Sequence, residues 1–314
     1  MSTRLPQYVQ RPTGYDLALA GPYHQRGVTL RAFALAGDPA ALQATCDRYL
    51  NEPGDGRWIY RPLGRTVLLT MLNMEHVSAG DPSLGHMHEI DGAFQIPVLR
   101  YAPGAKLPSG VATFMPYLWV NNDWPMITGR EVLAFRKEIG TSFSDGDDAR
   151  VTHARALTHV DAWVIPARDA ELVNRRGFEV PPRGAERGER WSTPLELLRG
   201  VAQGLVKDAS LFAEEEIAHL LPEALEGGGL RVPTVFLKQL RDAYDNARAV
   251  VQEVFVANGV LPLSGLRGAW PLLGEHHVWL ADFVSHPVAQ ELGLGDGGGH
   301  GAQTLPVEYA FEVD

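Results

Sequence analysis

The chain has 314 residues, 45% of them hydrophobic and 21% charged, which excludes a wholly disordered polypeptide and suffices for a core without disulfide staples. Its net charge of −10, from 28 basic against 38 acidic residues, argues against nonspecific nucleic-acid binding, which needs clustered positive charge. A single cysteine, Cys46, excludes an internal disulfide and a multi-cysteine zinc site. A cytoplasmic location is expected: one cysteine suits a reducing compartment, no apolar run approaches ~18 residues, and MSTRLPQYVQ lacks the apolar stretch of a signal peptide.

In chain order, residues 1–25 read as an extended arm rich in Pro and Gly. Val28–Leu35 predicts a strand between Gly27 and Gly37. Asp38 and Pro39 then predict a capped helix to Leu50, with Leu42, Cys46 and Leu50 as its core stripe. Thr66–Leu72, Phe94–Tyr101 and Val111–Val120 read as strands between turns, and Arg155–Pro166 as another. The polar stretch Arg168–Arg190 reads as a surface loop. Helices are expected over Thr193–Asp208 and about 209–225, the latter with Glu214, Glu215 and Glu216 as a solvated face. Pro233–Val256 starts like a strand and continues with a helical middle; His277–Val284 and Leu305–Phe311 close the chain as strands. Strands outnumber helices without alternating with them, so the expected class is α+β with a mainly antiparallel sheet.

The chemistry is concentrated in Tyr117–Gly140, YLWVNNDWPMITGREVLAFRKEIG: a hydrophobic strand, a polar turn at Asn121–Asp123, then a short amphipathic segment from Thr128 to a terminating Gly140. Lys137 lies in that segment between Phe135 and Ile139, whose apolar side chains can carry it into a pocket. Of 28 basic residues only four are lysines (Lys106, Lys137, Lys207 and Lys238), so 28 − 4 = 24 are arginines, and a lysine is the one cation that can surrender its proton. An exposed lysine leaves only about one amine in 2,500 neutral at pH 7; burial raises that fraction, and a neutral amine can add to a ketone and form an imine that drains electrons from the adjacent bond.

These residues resemble the signature of acetoacetate decarboxylases and their relatives, with Gly129, Arg130, Glu131, Phe135, Lys137 and Gly140 in register. The likeness is strong over 117–140, and looser over 83–101, 233–285 and the GPY at 21–23. It implies one domain over 1–314 with an inserted polar and helical region at about 166–230, and a closed or strongly curved, barrel-like sheet flanked by helices. Lys137 would sit uncharged at the base of a pocket opening at one end of that sheet, as the Schiff-base lysine. Ungapped alignment on Ile96-Pro97-Val98 places Asp91 at the family's catalytic carboxylate, with Glu89, two residues earlier on the same strand face, as its rival. Phe135 would line the pocket. Arg26 and Arg31 are candidates for the substrate carboxylate, although Val28 holds the register position of the family's arginine. Glu138 stands where the decarboxylases carry a second lysine, and a carboxylate facing the amine would raise its pKa.

The resulting expectation is a cofactor-independent lyase that decarboxylates a small β-keto acid, needing no metal. Imine-based aldolase, dehydratase or hydratase chemistry on a 2-oxo acid is the alternative, and a non-catalytic small-ligand binder is the alternative from another class. The expected partner is a small oxo acid, with neither nucleic acid nor membrane, and the family likeness is compatible with a homo-oligomer. His86, His88 and Glu89 form an H-x-H-E pattern, but satisfied or exposed histidines are the better reading than a metal site.

Overall fold

The computed structural model describes residues 8–9, 18–80, 85–144, 154–160, 173–180, 186–193, 196–197, 199–201, 229–262, 265–281, 283, 286–295 and 302–314. The helix expected at about 209–225, with its glutamate run, lies outside these residues, as does much of the 166–230 region.

β1 (His24–Ala36) is followed by α1 (Pro39–Cys46), which continues as a π-helical turn over Asp47–Asn51. The sequence signals act as expected: Asp38 accepts the Ala41 N–H at 2.9 Å and Pro39 fills the first helical position. Leu42, Cys46 and Leu50 are fully buried, and burial pushes the Cys46 thiol up to about 12, the mark of a core residue. β2 (Ile59–Pro62), β3 (Thr66–Ser78), β4 (Met87–Tyr101) and β5 (Gly110–Val120) follow. α2 (Asp123–Val132) and β6 (Lys137–Ser144) come next, then β7 (Ala154–Val160) and β8 (Val173–Val180). The chain closes with β9 (Gly229–Arg241), β10 (Ala249–Pro262), β11 (Ala269–Pro271), β12 (His277–Ala281), α3 (Val288–Leu292), β13 (Ala302–Pro306) and β14 (Tyr309–Val313).

The strands run in the order β11-β14-β1-β3-β4-β5-β6-β7-β8-β12-β13, with β2 on β4 and the β9–β10 hairpin attached through β9 to β5. The class is α+β as expected, but the sheet is mixed and open rather than a closed barrel. β5 pairs in parallel with β9 at Thr113–Phe114 and again in parallel with β6 at Leu118–Val120. Pro116 lies between the two pairings; lacking an N–H, it cannot continue one ladder into the other, so the sheet divides there instead of curling round.

Three further expectations are corrected. The amphipathic segment to Gly140 is a helix only to Val132; Ala134 takes a left-handed φ of 60° and the chain turns into β6, so Lys137 stands on a strand. Sheet pairing with β5 outweighs the weak helical spacing of a short segment. The "helical middle" of 233–256 is the turn of the β9–β10 hairpin, where Asp242 accepts the N–H groups of Tyr244 and Asp245 at 2.7 and 3.0 Å. The polar stretch Arg168–Arg190 contains β8, with Phe178 and Val180 fully buried.

Register sorts the side chains onto two faces. Phe33, Leu69, Phe94 and Tyr117 lie in one cross-strand row, and with Leu42, Leu50 and Leu292 they form the main core. Burying each such side chain contributes about 1.5–3 kcal/mol. The opposite face carries Ala32, Phe311 and Val313 in a smaller cluster with Leu197. Arg31 belongs to the main-core face, through the row Glu312, Arg31, Met71, Gly92, Trp119 and Glu138. It bonds fully buried Glu312 at 3.0 Å, and Arg187 bonds the other carboxylate oxygen.

Glu312→Leu would strand two cations and should cost about 3–5 kcal/mol of unfolding free energy in urea denaturation.

Candidate active site

Lys137 opens β6 directly beside Leu118, and Leu118 pairs with Ala93 on β4. Asp91 and Glu89 are two and four residues from Ala93 and so share its face. The lysine therefore reaches along one face of the sheet to both carboxylates: Nζ lies 2.5 Å from Glu89 Oε1 and 3.6 Å from Asp91 Oδ2. All three groups are shielded from water, with side-chain exposures of 8% for Lys137, 5% for Glu89 and 16% for Asp91. Asp91 Oδ1 is buried without a hydrogen-bond partner.

The charge state follows from these neighbours. Burial alone would push the Lys137 amine down, but the Asp91 and Glu89 charges and their hydrogen bonds outweigh it, and the net direction is up. For Asp91 burial is the main cause, with Glu89 adding to it and Lys137 opposing it, and its carboxyl is held well above the usual carboxylate range. Lys137 thus lies within ion-pair distance of both carboxyl groups, and the three share their protons. The amine is dry, as the sequence predicts, but it is charged and clamped rather than neutral in this state.

The signature residues build this cluster. Gly129 lies where a Cβ would come within 2.6 Å of Lys137 Cδ, so its missing side chain is the space through which the lysine passes. Arg130 Nη1 donates to the Lys137 carbonyl at 2.9 Å, fixing the first residue of β6. Glu131 is structural, accepting from Tyr8 at 2.9 Å while Lys238 caps the Glu131 carbonyl at 2.8 Å. Phe135 packs edge-on against Phe236 with ring centres 4.3 Å apart and presents its ring 5.4 Å from Lys137 Nζ.

Two contributors escape a reading by motif alone. Asn121 of the polar turn accepts the Ile90 N–H at 3.1 Å and donates to the His88 carbonyl at 3.4 Å, holding β4 on both sides of Glu89. Tyr23, from the GPY at 21–23, donates to the Leu19 carbonyl at 2.5 Å; burial raises its pKa and the nearby Lys137 charge works against that rise. The GPY likeness marked the segment without giving the tyrosine a role.

The remaining candidates lie apart. Arg31 is on the other face in its ion pair with Glu312, out of reach of the amine. Arg26 is exposed near the outer end of β1, opposite His76. Glu138 also faces away from the amine, on the row of Trp119, where it bonds His286 Nε2 at 2.6 Å. A pocket of about 80 Å³ lies on that opposite face, lined by Glu138 rather than floored by Lys137. The H-x-H-E residues do not converge: His88 bonds Asn73 at 2.6 Å, His86 stacks edge-on against His76, and Glu89 serves the lysine. No group of three or more candidate metal ligands occurs among the described residues.

With this geometry in place, the chain can be set against known proteins. No protein-family sequence model matches it, and neither does any curated protein sequence. Solved structures do match. Acetoacetate decarboxylase from Legionella pneumophila aligns with a TM-score of 0.54 and 12% identity over 99% of this chain and 90% of its own. An acetoacetate decarboxylase-like enzyme from Sphingomonas wittichii gives 0.53 and 13% over 98% and 96%. The enduracididine biosynthesis enzyme MppR, complexed with the condensation product of pyruvate and imidazole 4-carboxaldehyde, gives 0.50 and 12% over 100% and 95%. The chain therefore has the acetoacetate decarboxylase-like fold, as its motif suggests.

Two substitutions test the geometry. Gly129→Ala should displace the lysine rather than the backbone, since the obstructed atom belongs to a long side chain and alanine favours a helix by ~1 kcal/mol over glycine. The melting temperature should fall, because moving the ammonium off buried Glu89 costs more than the helix gains, and labelling of Lys137 by an amine-reactive ketone with borohydride should fall with it. Glu138→Gln should leave the pH dependence of that labelling unchanged, because Glu138 faces the opposite side of the sheet.

Proposed function

We propose that this chain is an enzyme that acts on a small oxo acid through an imine on Lys137, with Glu89 and Asp91 moving the protons. The observation that carries the reading is the buried amine with two carboxylates at 2.5 and 3.6 Å. The ion pair is the resting state. When a ketone enters, the ammonium passes a proton to Glu89, and the free amine adds to the carbonyl carbon. The carbinolamine hydroxyl leaves as water with a proton from Asp91, whose raised pKa keeps that proton available. The iminium then accepts the electron pair of the bond that breaks beside it. The face of Phe135 favours this positive charge.

For a β-keto acid the breaking bond releases CO2 and leaves an enamine, which takes a proton at carbon before water hydrolyses the product iminium. This is the first reading.

A second reading, aldol or dehydratase chemistry on a 2-oxo acid, is favoured by two carboxylates at the amine in place of a second lysine. Asp91, left as the anion once it has protonated the departing hydroxyl, can remove the proton beside the iminium, the step that such chemistry needs and decarboxylation does not. MppR, bound to a pyruvate condensation product, supports this alternative.

Borohydride added with acetoacetate or pyruvate should fix one adduct, located by mass spectrometry on Lys137 and absent from Lys137→Ala. Release of CO2 from acetoacetate selects the first reading; enolisation or condensation of pyruvate without CO2 selects the second. Glu89→Gln should move the acid limb of adduct formation to lower pH, since the amine loses the charge and hydrogen bond of Glu89 that raise it, and slow turnover by about 10²–10⁴. Absence of any adduct across a panel of oxo acids would overturn both readings and leave a ligand-binding protein.

A further inference from the structure

Arg136, just before β6, and Glu138, its second residue, both line the pocket of about 80 Å³ on the side of the sheet away from the amine. Its walls also include Tyr49, Tyr117, Trp119, His286 and Glu291. The ionic groups of this pocket differ in how far they are already satisfied. Glu291 is 15% exposed and saturated: it accepts Tyr117 Oη at 2.6 Å, Arg48 at 2.9 Å and Tyr49 Oη at 3.3 Å. Glu138 is 38% exposed and holds His286 alone among the contacts described. Arg136 is exposed, has no ion pair among the described residues, and rests its guanidinium 4.5 Å from the Tyr49 ring centre.

Among the described residues the pocket therefore offers one cation without an ion pair and one under-used anion, two residues apart in sequence. Residues so spaced stand at most about 7 Å apart in extended chain. A simple anion drawn to Arg136 would meet Glu138, and a simple cation drawn to Glu138 would meet Arg136. A ligand carrying both charges a few bonds apart meets neither penalty: its carboxylate pairs with the fork of Arg136 and its ammonium with Glu138. The small volume limits it to few heavy atoms, and the rings of Tyr49, Tyr117 and Trp119 accept a short aliphatic side chain.

We propose that this pocket is a second small-molecule site, separate from the lysine cluster, that binds a small zwitterionic α-amino acid between Arg136 and Glu138. The inference does not depend on imine chemistry at Lys137.

Calorimetric titration of the full chain with glycine and L-alanine tests it, with acetate and methylamine as the half-ligands. Saturable binding of at least one amino acid is expected, about tenfold or more tighter than either half-ligand. Arg136→Gln and Glu138→Gln should each weaken it by about tenfold or more at an unchanged melting temperature; exposed Arg136 can be replaced without opening the core. Lys137→Ala should bind as wild type does. No saturable binding, equal affinity for acetate, or undiminished affinity in both pocket variants would overturn the proposal. So would loss of binding in a folded Lys137→Ala protein, which would place the ligand at the lysine.

Discussion

A lysine ammonium pressed against a glutamate in a dry site is costly unless the surrounding chain holds both in place, and this structure is organised around holding them. The 2.5 Å contact between Lys137 and Glu89 joins two strands that are not sheet neighbours, with β5 between them. Asn121 secures the backbone on either side of the glutamate, Arg130 secures the lysine carbonyl, and Gly129 leaves the side chain its path. Removing one partner of such a pair exposes the desolvation cost of the other. The neighbouring Asp91 lessens that cost because burial raises its pKa and favours the uncharged form. A buried set of one amine and two carboxyls that exchange protons is suited to reactions in which the amine must be charged at rest and neutral at the moment of attack.

Alternation along β6 decides what Lys137 and Glu138 can each do. One step in sequence reverses the face, so the glutamate that replaces a second lysine pairs with His286 instead of with the amine. Its charge is thereby separated from Lys137 by the sheet itself. The same logic separates Arg31 from the site: its row leads to Glu138 and not to Lys137.

Much of this was legible in the residues. Asp38, Pro39 and the Leu42–Cys46–Leu50 stripe specified α1, because capping and periodicity act locally. The order of Gly129, Arg130, Phe135 and Lys137 marked the site, and the period of two along β4 put Glu89 and Asp91 on one face. What escaped depended on pairing between distant segments. Nothing near Lys137 announces that it will pair with Leu118, so the strand was read as helix. The divided sheet rests on Pro116 and two separate parallel partners, and the hairpin turn at Asp242 imitates a helix in its composition. The clamp on the amine was hidden for the same reason: a β4 carboxylate and a β6 lysine are 48 positions apart in sequence.

Because the sequence holds only four lysines, their ammonium groups can be followed one by one. Lysine labelled with ¹³C at Cε, titrated by NMR in wild type and in Lys137→Ala, reads the state of the amine directly. The account predicts one resonance, missing from the variant, that loses its proton at higher pH than an ordinary lysine. A Lys137 resonance that titrates at the ordinary value or below it would contradict the shared-proton site on which the rest is built.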